Sequence, residues 1–438
     1  MGLATRDSST IEGWKAPVRL AWRHRWGLAA VAGLLAFGGL WAWWATQLWG
    51  LPDIGDPFDV AAFETFSVPD ERNAFFEYRD ASALTMSTWK KIRGNKSGPE
   101  LEFPKEGWSK ANSVWRDFLA QSGEALTIWR AGSEKPGFLY IHPDGLSFGT
   151  LLPVSQELRM LARLAILEGS RLEAEGDMAG AWGWYRAALR SSRHSGLHGF
   201  MIERLIGAAM HEDASKGLTR WASDPRVDAP LLRRALDEVI AIDAMTAPHS
   251  VALKLEYLVS IRSMGDPNLI GDVLVQQNTN EAADWCQELP ISDLNKERIQ
   301  EVRVLAANDR ERSVRVSRLM MANWLAQVDK PPSRRARLYR ADPPIYELDP
   351  DGPPESKAIP PEELSRWLDS SMLAARHFRF LSKYTPAIEK ERVRQARLVV
   401  HLADQLYRRE HGGTPPTSPE ALVGPYLKAL PEEFVVDP

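Results

Sequence analysis

His194 and His198 stand four residues apart in "HSGLH", so they share a face if the chain is helical there, and His211, Glu212 and Asp213 follow. Two histidines on one helix face with a third ligand nearby are an arrangement that holds zinc. Here Gly196 interrupts the pair, after a helix that has run its course, and no H-E-x-x-H occurs. Surface or helix-capping histidines are the expectation, with no metal. Glu168, Glu173 and Glu175 offer carboxylates for acid–base work. Residues seven apart share a helix face but sit about 10 Å apart along the axis, so a solvated charged face is expected instead.

Other chemistry is harder still to place. "RGNKSG" lacks the first glycine and the spacing of a phosphate-binding loop, and there is no G-x-S-x-G elbow. Cys286 has no basic neighbour close in sequence to lower its thiol pKa, so a packed cysteine is expected. "SRRARLYR", Ser333 to Arg340, is a basic stretch that reads as solvated linker. No catalytic, cofactor-binding or metal residue is expected. An enzyme would need a site assembled from distant residues, with Glu, His and Arg lining one deep pocket.

The chain is 438 residues long, 44% apolar and 26% charged, with a net charge of −4. That is enough for large cores, and it gives no reason to expect nucleic acid as a partner. One cysteine allows neither an intramolecular disulfide nor a cysteine-based zinc site.

From Trp26 to Pro52 there is no charged residue. Such a run crosses a hydrocarbon layer of roughly 30 Å with some tilt. Arg6, Lys15, Arg19, Arg23 and Arg25 precede it, and Asp53, Asp56 and Asp59 follow it. The basic side stays in the cytoplasm by the positive-inside rule. Trp22 and Trp26 flank one end and Trp43, Trp44 and Trp49 the other, as interfacial belts do. The expectation is a signal anchor: one transmembrane helix in the inner membrane, N-terminus cytoplasmic, with a large extracytoplasmic domain. The residues beyond Pro52 carry a net charge of −7.

The organisation then reads as follows: 1–25 basic tail, 26–50 transmembrane helix, 51–69 linker, 70–152 helical subdomain, 153–328 main helical domain, 329–361 proline-rich linker, 362–438 C-terminal helical segment. Asp70 looks like the cap of the first ectodomain helix, Gly123 looks like a split in the second, and Ser155 looks like a plain cap. "FLYIHPDGLSFGTLLP" is the one plausible strand and turn. No regular structure is expected between Lys330 and Pro361, where proline is dense. The last long helix takes Val393, Ala396, Val400, Ala403 and Tyr407 as its apolar side and ends at His411, with Gly412 in left-handed geometry. Thr417 or Ser418 then caps a short helix, "ALVGPYLKALP".

Within the main domain, Gly169, the Gly176-Asp177 turn, Ala181, Tyr185 and Ala188 follow the grammar of two close-packed antiparallel helices. The segment 162–195 resembles one tetratricopeptide repeat, and no convincing copy follows at the 34-residue period. The resemblance implies a concave surface that binds a protein partner, with Trp182, Trp184 and Arg186 as candidate contacts; for the two tryptophans core packing is the simpler expectation. The tail "RLVVHLADQLYRREHGGTPPTSPEALVGPYLKALPEEFVVDP" resembles a segment that ends uncharacterised membrane-anchored helical proteins of planctomycete type. "NAFFEYRDASAL" and "SRHSG" are similar to the same group. More distantly, the tail is similar to type II secretion pseudopilins. Neither resemblance implies an activity. The fold expected is all-α: an anchor helix, then a large helical-hairpin ectodomain with minor irregular or β content. The function expected is a membrane-anchored binding or scaffold protein of the envelope, without cofactor, whose partners are the bilayer and a protein. An envelope enzyme and a pseudopilin-related assembly component are the alternatives.

Overall fold

The computed structural model describes residues 31–39, 42, 50–94, 101–146, 154–264, 296–348 and 359–434. Two compact units divide the chain, Met1–Asp53 and Ile54–Pro438. Within the first, residues 31–39 are helical and exposed. Among the described residues no helix is long and apolar enough to cross a membrane. The run 26–50, on which the anchor expectation rests, lies outside the described residues except at 31–39, 42 and 50, as do its five flanking tryptophans and Cys286.

The second unit is built almost wholly of helices: α1 Phe75–Arg93, α2 Ser113–Gln121, α3 Gly123–Ser133, α4 Ser155–Glu175, α5 Met178–His194 and α6 Met201–Ser223. Then come α7 Ala229–Asp243, α8 His249–Met264, α9 Lys296–Leu325, α10 Pro361–Asp369, α11 Met372–Ser382 and α12 Tyr384–Glu410. One large apolar cluster draws on α1–α7, on α12 and on the tail as far as Leu427. Its bulk comes from aromatic side chains: Trp115, Trp129, Trp182 and Trp221 are all fully buried. Trp182 stacks on Trp221 with ring centroids 5.7 Å apart, which locks α5 against α6.

The α4–α5 pair forms as its small residues require. Gly176, at φ +91°, closes α4 in left-handed geometry, and Asp177 accepts the Gly180 N–H at 2.8 Å to cap α5. Tyr185 of α5 then lies between two glycines. A Cβ on Gly169 would stand 3.0 Å from its ring, and one on Gly217 of α6 would stand 2.8 Å away. The Tyr185 hydroxyl donates to Glu173 and accepts from Arg220 at 2.9 Å. Tyr185→Phe keeps the packing but strips both partners of a buried hydrogen bond. It should lower stability by about 1–2 kcal/mol in equilibrium unfolding, and a variant as stable as the parent would contradict this role.

Several local expectations are corrected. Asp70 opens a single 3-10 turn, Asp70–Arg72, and α1 starts only at Phe75, after Asn73 has bridged to Gly137. Ser155 is the first helical residue of α4, not its cap, and its hydroxyl faces Glu203 at 3.5 Å. The described residues 138–146 contain a 3-10 turn, Pro143–Gly145, and no strand. The strands lie where none was expected, in the proline-rich stretch: β1 Leu338–Ala341 pairs antiparallel with β2 Pro344–Tyr346. Side chains of α9 supply the missing backbone partners. Asn323 donates to the Tyr346 carbonyl at 3.0 Å and accepts its N–H at 3.0 Å, while the Trp324 indole donates to the Pro344 carbonyl at 2.6 Å. Nor is the basic stretch around this hairpin free linker. Arg334 pairs with Glu432, Arg335 with Glu389, and Arg340 with Asp369 at 2.7 Å.

At the tail, Gly412 takes φ +60° and the Gly413 N–H bonds the Arg408 carbonyl at 2.7 Å, so α12 ends as its glycines predict. Beyond it, Pro419–Leu422 is a 3-10 turn without a side-chain cap, and no α-helix follows among the described residues. Leu422 and Leu427 instead fold back into the core.

Candidate functional site

The face that α12 buries is set by Ile388, Glu391, Gln395, Leu398, Leu402 and Leu406. It takes in Ala396, Val400 and Ala403 of the expected apolar side, leaves Val393 and Tyr407 half-buried, and is wider than expected, with two inward positions that are polar. Opposite stand Arg193, in the last turn of α5, and Arg204 and His211 of α6. Arg193 and Arg204 both reach Glu391. Arg193 touches Oε1, and Arg204 lies 3.2 Å from Oε1 and 2.6 Å from Oε2. All three side chains are at least 95% buried. Burial alone would raise the Glu391 carboxyl, but Arg204 and Arg193 outweigh it and hold it at about 2. Gln395 accepts from His211 at 2.7 Å and from Arg193 at 3.4 Å. A second carboxylate, Asp243 at the end of α7, takes Arg193 at 3.0 Å.

This cluster is the floor of a cleft of about 350 Å³. One wall is the α7–α8 connection, Thr246 to Pro248, and His249 at the start of α8. Another is Arg392 of α12, with Asp329, Pro431 and Glu433 completing the rim. Asp329 accepts the Ser250 N–H at 3.1 Å, which ties the first turn of α8 to the segment after α9. Four buried nitrogens on the lining residues find no hydrogen-bond partner among the described residues: Arg193 Nε, Arg204 Nε, Gln395 Nε2 and His249 Nδ1. Buried polar groups of this kind cost stability unless something satisfies them.

The histidines are not where the sequence suggested. His194 and His211 are fully buried. His194 bonds the Tyr78 hydroxyl at 2.8 Å, and His198 packs its ring on Phe66 at 3.7 Å. They serve separate contacts, and among the described residues no group of three or more His, Cys, Asp or Glu could hold a metal ion. Glu168 and Glu175 both pair with Arg171 on the surface of α4. Of the three candidate partner contacts, Trp182 is 1% exposed and belongs to the core, so it leaves the surface. Arg186 is tied to Glu134 and Glu238. Trp184 is half-buried under the Arg130 guanidinium, 4.7 Å from its ring, and lines a second cleft, of about 430 Å³, with Trp108, Leu119 and Leu126.

Sequence reasoning missed Glu391, Gln395, Arg204 and Arg193. A signal was present: Glu391 and Gln395 fall in register with Ile388, Leu398 and Leu402. Arg204 and His211 likewise fall in register with Ala214, Leu218 and Trp221. Charged or amide residues on the core stripe of two helices are a request for each other.

Burial also sets the response to pH. It lowers His194, His211 and His249 to about 3, and His198 and His377 to about 4. It raises Glu203 and Glu256 to about 7, where both accept N–H groups at the start of α6. Between the unfolded values of 4.5 for Glu and 6.5 for His, the unfolded chain gains protons on these imidazoles and on His401, which burial also lowers, while the folded chain keeps two on carboxyls. The imidazoles win, so stability falls as pH drops below about 6.5, by about 1.4 kcal/mol per pH unit for each proton of difference. Above 6.5 the unfolded imidazoles give up their remaining protons while the two folded carboxyls give up theirs, and the two effects come into balance above 7. Melting temperatures should rise from pH 4.5 to about 7 and then level off, and a flat profile from 4.5 to 6.5 would contradict this.

No protein-family profile, curated protein or solved structure matches the chain.

Proposed function

We propose that the chain is a single-pass, N-in membrane protein of the cell envelope whose helical part, outside the cytoplasm, binds a partner through the cleft over Glu391. The α4–α5 pair is read as tetratricopeptide-like, one hairpin among several and not a repeat array. The anchor reading rests on the uncharged run from Trp26 to Pro52 and on the charge asymmetry around it. The binding reading is carried by one observation: four of the residues that line a cleft of ligand size hold a buried nitrogen without a partner among the described residues.

An enzyme is the second reading, because Glu, His and Arg do line one pocket. The chemistry favours binding over it. A general acid or base works best with a pKa near the operating pH. Glu391 is held at about 2 and His211 and His249 at about 3, so at neutral pH all three are fixed in one state. The two carboxyls that do lie near 7 are occupied with the N–H groups at the start of α6.

The test is native mass spectrometry and gel analysis of the full chain extracted in mild detergent, beside Arg392→Gln. The wild type should carry a stoichiometric species, protein or small molecule, that the variant loses. A wild type that carries none would sink the reading.

A further inference from the structure

The floor of the cleft largely neutralises itself: Glu391 is shared by Arg193 and Arg204, and Asp243 takes the other side of Arg193. Three charged groups on the lining enter no ion pair among the described residues, namely Arg392, Asp329 and Glu433. Arg392 is a half-buried guanidinium with no hydrogen bond among the described residues. A guanidinium presents a planar fork that matches a carboxylate. Beside it on α12 is Gln395, 6% exposed, whose amide nitrogen has no partner, and across from it is His249, 4% exposed, with Nδ1 unpartnered. The lining thus carries a guanidinium and an amide donor, with an imidazole nitrogen beside them. Asp329 and Glu433 bring carboxylates of the opposite sign to the same lining, close enough to act on the Arg392 charge though in no ion pair among the described residues.

The whole lining holds three guanidiniums against four carboxylates, with His249 neutral. A dianion such as phosphate would meet net repulsion, and a purely basic ligand would meet the arginines. A ligand with one charge of each sign satisfies both sets of charges. Among the described residues no Trp, Tyr or Phe lines the cleft, so they offer no flat apolar face on which a sugar ring stacks.

We propose that the cleft binds a zwitterion of the α-amino-acid or short-peptide class, its carboxylate on Arg392 and Gln395 and its ammonium between Asp329 and Glu433. This rests on the binding reading above and names its ligand class. A volume of about 350 Å³ lies at the small end of ligand sites, which suits an amino acid or a dipeptide better than a folded epitope.

The experiment is isothermal calorimetry and thermal melting of the full chain in detergent. The probes are pooled α-amino acids and dipeptides with free ends, the same dipeptides N-acetylated and C-amidated, inorganic phosphate, and glucose. Free-ended probes should bind and raise the melting temperature, while capped ones should not. Arg392→Gln and Glu433→Gln should each weaken binding about tenfold or more, the loss of one charge-assisted hydrogen-bonded contact, with unliganded melting close to that of the parent. Capped and free probes binding alike, or Arg392→Gln binding as the parent does, would overturn the proposal. Saturation by phosphate or glucose alone would overturn the ligand class and leave a binding cleft. No response to any probe, while the purified chain still carries a stoichiometric species, would overturn this inference and spare the binding reading. With no such species either, both fall.

Discussion

Glu391→Ala should destabilise the folded part by about 3–5 kcal/mol, the loss seen when one member of a buried ion pair is removed. The magnitude follows from what is left behind. Arg204 loses its only ion-pair partner among the described residues, and its side chain is 5% exposed. Arg193 keeps Asp243, but that carboxylate is 46% exposed and screened by water. Two guanidiniums would then face each other across the gap between α5 and α6 with one weak counter-charge. Glu391→Gln should lose nearly as much, because the amide restores shape and not charge. The loss should be the same at pH 5 and pH 8, since Glu391, at about 2, is ionised across that range. Chemical denaturation of the full chain in detergent measures this, and a loss below about 1 kcal/mol for Glu391→Ala would mean that the cluster is solvated and not buried. Replacing Arg193, Arg204 and Glu391 together with apolar residues is a different experiment. It can be neutral for stability, because burying the three charges is itself costly.

Gly196→Ala is expected to cost about 2–4 kcal/mol, through two effects that add. Gly196 sits at φ +83°, a backbone conformation that L residues adopt only with strain. Its added Cβ would also stand 2.5 Å from the Arg204 Cα and 2.7 Å from its nitrogen, which are backbone atoms that cannot swing aside. The first turn of α6 must therefore shift, and Arg204 moves away from Glu391 with it. Gly196→Ala should lower both stability and the retention of any species bound in the cleft. Gly412→Ala is the control, with φ +60° and open space around the Cβ. It pays only the backbone term, about 1 kcal/mol, and leaves the cleft untouched. Equal losses for the two variants would show that close approach at Gly196 carries no weight.

The contrast between these sites shows what a sequence displays and what it hides. Gly176-Asp177, Gly123 and Gly412 act on residues a few positions away, so their roles as turn, split and stop are readable from the chain alone. The α-helical class follows from the same local grammar. The cleft depends on partners far apart. Arg193 and Glu391 are separated by 198 positions, and His211 and Gln395 by 184. The apolar side read for α12 from composition holds for Ala396, Val400 and Ala403, which are buried, while Val393 is only half-buried. The chain also buries Glu391 and Gln395, because α5 and α6 bring arginines and a histidine to meet them. The β1–β2 hairpin was hidden for a related reason. Its prolines forbid a full ladder, and the missing bonds come from Asn323 and Trp324 on another element. Gly196 was visible as a helix breaker, but its close contact with Arg204 was not.

The proposed function puts the cleft outside the cytoplasm, beyond a proposed anchor at residues 26–50. Protease accessibility of a C-terminal tag in intact spheroplasts tests that claim most directly. Loss of the tag before lysis is the expected result and would put the cleft in the envelope, where its ligand should be sought. A tag that stays protected until lysis would contradict the charge-asymmetry argument, and the envelope binding function would go with it.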